Sequence, residues 1–378
     1  MQFIRIKSIS TDALLLKIIS LAWIAAKLMS FKVWTSDRIF PILPTFDSIS
    51  LPNEVHLFLY IISLFGMGII FFVPNKKIIA AVLILEITAC LLDYMRWQPW
   101  EYQYLLTLSF FIFAKDKKQF LLLFSFLIGC TYIFSGAHKF GGSFLHTFWD
   151  STILSRILGM QPSIIKNPIV HYSGLLLSLI EILMGVGFIF FKNKKYFCIM
   201  AITMHMIVIV IYGPIGMNYN LIILPWNLAM IFFSIVFFYQ KEGFKITFDF
   251  FKNKLTFSAF LFVGFLPLLS FFDYWDHYLS FNLYSGNTKV LVICVEEVQQ
   301  YPALEKYKSA EKNNKYCSNN YVVNTNKWAM DELNVPVIPQ ERVYLEMQLQ
   351  FNKRYPNIHN TFIYYQYPYK KENIKVLP

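Results

Sequence analysis

Nine apolar runs separated by short, basic turns occupy the first 272 residues, and this alternation restricts the fold more than any other feature of the chain. The runs lie near 12–31, 55–73, 78–95, 102–114, 120–137, 169–191, 196–213, 220–239 and 255–272. A helix needs about 20 apolar residues to cross a bilayer, and within lipid its backbone groups must be bonded inside the segment. The sequence therefore predicts an all-α polytopic membrane bundle of about nine transmembrane helices. The fourth run is short and is expected to begin inside the Trp-rich segment before it. Residues 141–168 are too polar to span, and an interfacial or re-entrant helix is expected from Phe148 to Met160. Charged residues make up 15% of the chain, against about 25% in soluble domains, which fits this class.

The basic residues sort by turn. Arg5, Lys7, Lys76, Lys77, Lys115, Lys117, Lys118, Lys192, Lys194, Lys195, Lys241, Lys245, Lys252 and Lys254 fall on one side of such a bundle. Only Lys32, Arg38, Arg96, Lys139, Arg156 and Lys166 fall on the other. Short cytoplasmic loops are enriched in Lys and Arg, so the amino terminus is expected in the cytoplasm and the carboxy-terminal part outside. The first run lacks a small-residue cleavage site and is expected to act as an uncleaved insertion signal. The formal charge of +11 is spread over turns rather than gathered on one face, so no nucleic-acid partner is expected. No Asn-x-Ser/Thr sequon occurs, and a bacterial inner membrane is the expected location, with the tail periplasmic.

From residue 273 the pattern changes, giving two expected domains, 1–272 transmembrane and 273–378 extracytoplasmic. Strands are expected at Lys289–Val295, Tyr321–Val323 and Thr361–Tyr367, and helices near Tyr301–Lys312 and Asn326–Leu333. Pro339-Gln340-Glu341-Arg342 reads as a helix start. The alternation of Leu345, Met347, Leu349 and Phe351 is strand-like, but helix is preferred there because the next run supplies a strand. The tail is thus a small α+β domain. Cys90, Cys130 and Cys198 fall in spans and read as packed small hydrophobes. Cys294 and Cys317 both fall in the tail, where an oxidising compartment permits a disulfide. The absence of Cys-x-x-Cys removes a thioredoxin-type site.

Three polar clusters stand near the outer ends of the runs. Asp93 to Tyr104 reads either as an aromatic belt with a local Asp93–Arg96 pair or as the rim of an outward pocket. In the second reading Arg96, Trp100, Glu101, Tyr102 or Gln103 holds a polar substrate. In Tyr132 to Phe140, Ser135 and Gly136 permit close helix approach, and Lys139 is held where apolar surroundings favour the neutral amine, a usual route to a base. The alternative is a lysine snorkelling from a helix end. The third cluster joins Glu181, His205 and the turn Gly213 to Asn220, including Asn218. A Glu181–His205 contact would be a buried pair, a proton relay or a metal fragment. Without His-x-x-His or Glu-x-x-His spacing, no metal site is expected. The Gly-Pro turn and Pro225-Trp226-Asn227 imply broken helix ends lining protein or water.

Tyr132 to Phe140, read as aromatic-x-x-small-Gly-x-x-Lys-hydrophobic, resembles the signature of the HTTM group, the membrane module shared with vitamin K-dependent γ-glutamyl carboxylase. The resemblance covers about residues 10–272. It implies Lys139 as a base toward a quinone or reduced vitamin K-like lipid, supported by His138, His205, Tyr102 and Gln103. The carboxylase carries a histidine where this chain has Tyr102 and Gln103, and about 105 residues replace its larger lumenal portion. The small-Gly-x-x-Lys element is also similar to the DoxX group of quinone-linked membrane proteins. Three functions are weighed: a membrane enzyme using a lipophilic cosubstrate in an outward-facing pocket, a non-catalytic scaffold or receptor-like subunit whose exterior domain binds a protein or peptide, and a transporter. Membrane lipid is the expected partner in each, and whether the chain is an enzyme stays open.

Overall fold

A computed structural model describes residues 10–46, 51–240, 243–296, 302–309, 317, 320–368 and 370–378. Arg5, Lys7 and Lys241 lie outside the described residues. Five helices are long and apolar enough to cross a membrane among the described residues: Asn53–Phe72 (α2), Lys117–His138 (α5), Pro168–Phe190, Lys195–Tyr212 (α7) and Lys254–Phe272 (α9). The regular part of the third is Leu175–Phe190 (α6). Between them stand Thr11–Met29 (α1), Lys76–Leu91 (α3), Pro99–Phe113 (α4) and Ile223–Phe238 (α8). The expected short fourth run does begin in the Trp-rich segment, because Pro99 occupies the first helical position, where its missing N–H costs nothing.

Helix starts follow the sequence. Asn75 accepts from the Lys77 amide, and Asp116 accepts from the Gln119 amide, the usual N-cap arrangement. In α9, Pro267 and Gly264 break the regular ladder into wide turns followed by tight ones. The helix expected from Phe148 to Met160 is present as wide π-type turns over Leu145–Ile157.

Helix α5 is the axis of the bundle. Of its apolar window 83% is buried, against 28–39% for the other four long helices. Its neighbour α6 approaches so closely that a Cβ on Gly185 would stand 2.4 Å from the Gly129 carbonyl oxygen, and one on Gly136 2.7 Å from that of Ser178. Small residues at such a seam replace side-chain volume by backbone contact.

The helices run between two ends. At one, Lys76 Nζ donates to the carbonyls of Ile112 and Ala114, Thr11 reaches Gln240 at 3.0 Å, and Lys194 Nζ donates to the carbonyls of Phe188, Phe191 and Phe244. The described lysine-rich turns therefore share that end. At the other end the tail docks on the loops after α1 and α3. Glu332 accepts from the amides of Ile39 and Phe40, Asn334 donates to the Met29 carbonyl, and Gln98 donates to that of Pro336.

The tail carries a four-stranded antiparallel sheet in the order β2-β1-β3-β4, with β1 Val290–Val295, β2 Tyr321–Asn324, β3 Asn360–Tyr365 and β4 Lys375–Val376. Side chains alternate across a strand. Leu291, Ile293 and Val295 join the core formed with Trp328 of helix α10 (Thr325–Leu333) and Phe351 of helix α11 (Glu341–Arg354), whereas Val292 and Cys294 face the other way. On that second face Cys294 and Cys317 are joined in a disulfide, with Cα atoms 5.3 Å apart. Helix was the right choice over strand at 341–354, where Val343, Tyr344, Met347 and Phe351 share a buried face. The expected helix near Tyr301–Lys312 falls partly outside the described residues; within them it is one turn, Pro302–Glu305.

Candidate functional site

Helix α6 leans on α5 and α7 leans on α8, which leaves a cavity of about 440 Å³ between the two pairs. Phe148 of the wide-turned segment and Phe144 just before it, with Leu283 and Tyr284, close its tail-side end. Ile180 of α6 and Ile199 and Ile207 of α7 line it too, and these are 40%, 51% and 53% exposed. The cavity is thus only partly enclosed where these α6 and α7 side chains line it.

The polar groups of the cavity come from a single face of α5 and from what that face meets. Tyr132, Ser135, Gly136 and Lys139 stand at i, i+3, i+4 and i+7, which stacks them along one side of a helix. Lys139 Nζ donates to Glu181 Oε2 at 2.6 Å, to Ser135 Oγ at 2.7 Å and to the Ser135 carbonyl at 3.2 Å. Gly136 makes this possible, because any larger residue would push away the turn of α6 that presents Glu181. The lysine thus has a carboxylate partner, 2.6 Å away, in addition to the apolar surroundings expected from the sequence.

One turn deeper, Tyr132 OH lies 2.7 Å from His205 Nε2, and His205 Nδ1 lies 2.7 Å from Asn227 Oδ1. Asn227 Nδ2 donates to the Ile223 carbonyl at 2.8 Å, so its oxygen is the group turned to the imidazole. The network then assigns the imidazole hydrogen to Nδ1, leaving Nε2 to accept from the tyrosine hydroxyl. The cavity thus offers one charged pair and one oriented neutral triad in an otherwise apolar wall.

The expected Glu181–His205 contact does not form, since each residue has other partners. His138 faces α9, with Ser270 Oγ 3.0 Å from its Nε2 and the Phe271 ring stacked at 4.1 Å, and does not line the cavity. Arg96 is buried among the turn after α1, α2 and α3, donating to the carbonyls of Val33 and Ala89 and meeting His56 Nδ1 at 2.9 Å. The expected Asp93–Arg96 pair is replaced by Arg38–Asp93 at 2.6 Å. Tyr102 stacks on Trp97, and Trp100 lies against Trp226, 6.4 Å between ring centroids. Gln103 accepts from the Trp226 indole and reaches Met230, so it supports the cavity wall from behind. Asn218 is exposed in its turn with φ +47°.

Of the expected site residues, then, Lys139, Glu181 and His205 converge on one space. Tyr132 and Asn227 are the two that sequence reasoning did not assign. Both stood in quoted motifs, and Tyr132 shares the helical face of Lys139. No family model matches the chain, and neither do curated proteins or solved structures.

Proposed function

We propose that the chain is an HTTM/carboxylase-like integral membrane protein whose cavity admits a lipophilic, quinone-type cosubstrate from the bilayer. The observation that carries the reading is the Lys139–Glu181 pair set in the wall of an apolar, partly enclosed cavity. Small-molecule sites are mostly apolar with a few placed polar groups, and a ring with a hydroxyl or carbonyl and an apolar tail matches that distribution. The pair also supplies a chemistry. A hydroxyl entering beside it passes its proton to the Glu181 carboxylate, and the Lys139 ammonium stabilises the oxyanion left behind. In this arrangement the lysine acts electrostatically and the glutamate is the proton acceptor.

The proposed topology is nine spans with the amino terminus in the cytoplasm and residues 273–378 outside. The gathering of lysine-rich turns at one end supports it, as does the Cys294–Cys317 bond in the tail at the opposite end. Helices α3, α4 and α8, of 15 or 16 residues, are short for a bilayer of about 30 Å. A locally thinned bilayer accommodates them.

The test is equilibrium binding of a tritiated isoprenoid naphthoquinol to the full chain in nanodiscs. Saturable binding is expected. Lys139→Met and Glu181→Gln are expected to weaken it at least tenfold, while Asn218→Ala leaves it unchanged. Absence of saturable binding, or equal binding by both cavity variants, removes the reading in favour of a non-catalytic subunit that acts through its tail.

A further inference from the structure

A second cluster of chemically capable groups lies outside the cavity. His146 and Asp150 stand four residues apart on the wide-turned segment Leu145–Ile157, and His171 comes from the short helical turn Pro168–Tyr172. Both imidazoles turn the same nitrogen to the same oxygen. His171 Nδ1 is 2.7 Å and His146 Nδ1 3.4 Å from Asp150 Oδ2. The potential ligand atoms all lie within 4.8 Å of one another. The other carboxylate oxygen, Asp150 Oδ1, is buried and has no hydrogen-bond partner among the described residues.

We propose that His146, Asp150 and His171 form a site for a divalent transition-metal ion, Zn²⁺ by ligand type, with a fourth position open to water. Two imidazoles and a carboxylate are the donor set of many three-ligand zinc sites. At metal–ligand distances of about 2.0–2.2 Å, ligand atoms in a tetrahedron stand roughly 3.3 Å apart. The His146–Asp150 spacing already meets that value. A cation seated between the rings would draw the two histidines together and offer a partner to the orphaned carboxylate oxygen. Without an ion, the cluster is two imidazoles competing for one acceptor.

Placement gives the ion a structural consequence. Trp149 Nε1 donates to the Val170 carbonyl at 3.0 Å, so a further side-chain hydrogen bond already ties the two ligand-bearing segments. Phe148, on the metal-bearing segment, and Phe144, just before it, close the cavity end. A metal bridging His171 to His146 and Asp150 would fasten that segment in its closed position. His146 is half exposed, so the ion enters from the aqueous face without crossing the cavity.

The experiment is metal titration of the purified full chain, using Zn²⁺ against a chromophoric chelator and Co²⁺ as a spectroscopic probe. One ion per chain is expected, with visible Co²⁺ absorption of the intensity given by four-coordinate nitrogen–oxygen ligation. His171→Ala and Asp150→Asn, each confirmed monodisperse, are expected to weaken Zn²⁺ at least tenfold, whereas His205→Leu keeps wild-type affinity. Less than one ion per chain in the wild type, or unchanged affinity in both ligand variants, overturns the site. Because the readout is metal content, it stands or falls separately from quinol binding.

Discussion

The two halves of the bundle use buried charge in opposite ways. In α1–α4 the charged groups inside the bundle, Lys27, Glu86 and Glu101, are sealed, while Glu54, Lys76 and Lys77 at the helix ends are exposed. Lys27 Nζ stands 2.7 Å from Glu86 Oε2, a charge contact rather than an aligned hydrogen bond, with both side chains essentially without exposure. The Lys27 ammonium also sits 3.0 Å from the centre of the Trp34 ring, Ser63 donates to Glu86, and Glu101 accepts from the Trp23 indole. Arg38–Asp93 is equally buried. In α5–α8 the charged pair instead faces open space. Buried ionisable groups in a membrane protein are expensive and are kept where they are paired or functional. The first half meets the first condition, making a rigid platform on which the tail docks, and the second half leaves room for the other.

The largest effect should therefore come from breaking a sealed pair. Glu86→Ala leaves Lys27 buried without a counter-charge and is expected to cost about 3–5 kcal/mol, whereas replacing both by Lys27→Met and Glu86→Leu is expected to be near neutral. Lys139→Met should cost less than half as much, because Glu181 borders the cavity and can be solvated there. Chemical unfolding of the full chain in detergent measures all three. Equal losses for Glu86→Ala and Lys139→Met would erase the distinction between the halves.

Most of the fold was legible for a simple reason: apolar length and turn charge are local properties of the sequence. The seam of α5 and α6 was half legible. Ser135 and Gly136 marked a close approach, but nothing local to Lys139 pointed to Glu181, 42 residues away, as its partner. The Asp93–Arg96 pairing failed for the same reason, because Arg38, 55 residues away, outcompetes a neighbour in sequence. His146, Asp150 and His171 escaped because the third ligand arrives from another turn, so no compact spacing announces them. The enclosing geometry of Tyr132 and Asn227 required helix packing that periodicity alone does not encode.

The tail offers the next effect in size. Its disulfide closes a separation of 23 residues, and removing such a link costs about 3 kcal/mol in the chain-entropy account. Cys294→Ser with Cys317→Ser should lower the tail's unfolding midpoint while leaving quinol binding to the cavity unchanged. Limited proteolysis beside the binding assay checks both, and a loss of binding would mean that tail and cavity fold as one unit. Gly185→Ala comes next. Its new methyl would meet the Gly129 carbonyl backbone, and overpacking of this kind costs about 1–3 kcal/mol. Since it spreads the seam that aligns Lys139 with Glu181, weaker quinol binding should accompany the lower stability.

The smallest expected effect sits where bundle and tail join. Asp273 follows α9 at φ +62°, and its Oδ1 lies 3.1 Å from His277 Nε2 while Oδ2 lies 3.3 Å from Lys289 Nζ. The hydrogen bond from His277, aided by Lys289, holds the carboxyl down to about 2. Asn282 Nδ2 lies 3.0 Å from His277 Nδ1, so a neutral imidazole can accept from the amide and still donate to Asp273. A depressed carboxyl stabilises the fold above its unfolded value near 4 and loses that contribution as pH falls through about 2. Asp273 is nearly half exposed, so solvent screening holds the effect below about 1 kcal/mol. Asp273→Asn should flatten the acid limb of thermal stability between about pH 4 and pH 2 and change little at neutral pH. An unchanged acid limb would remove Asp273 from the acid response of the fold.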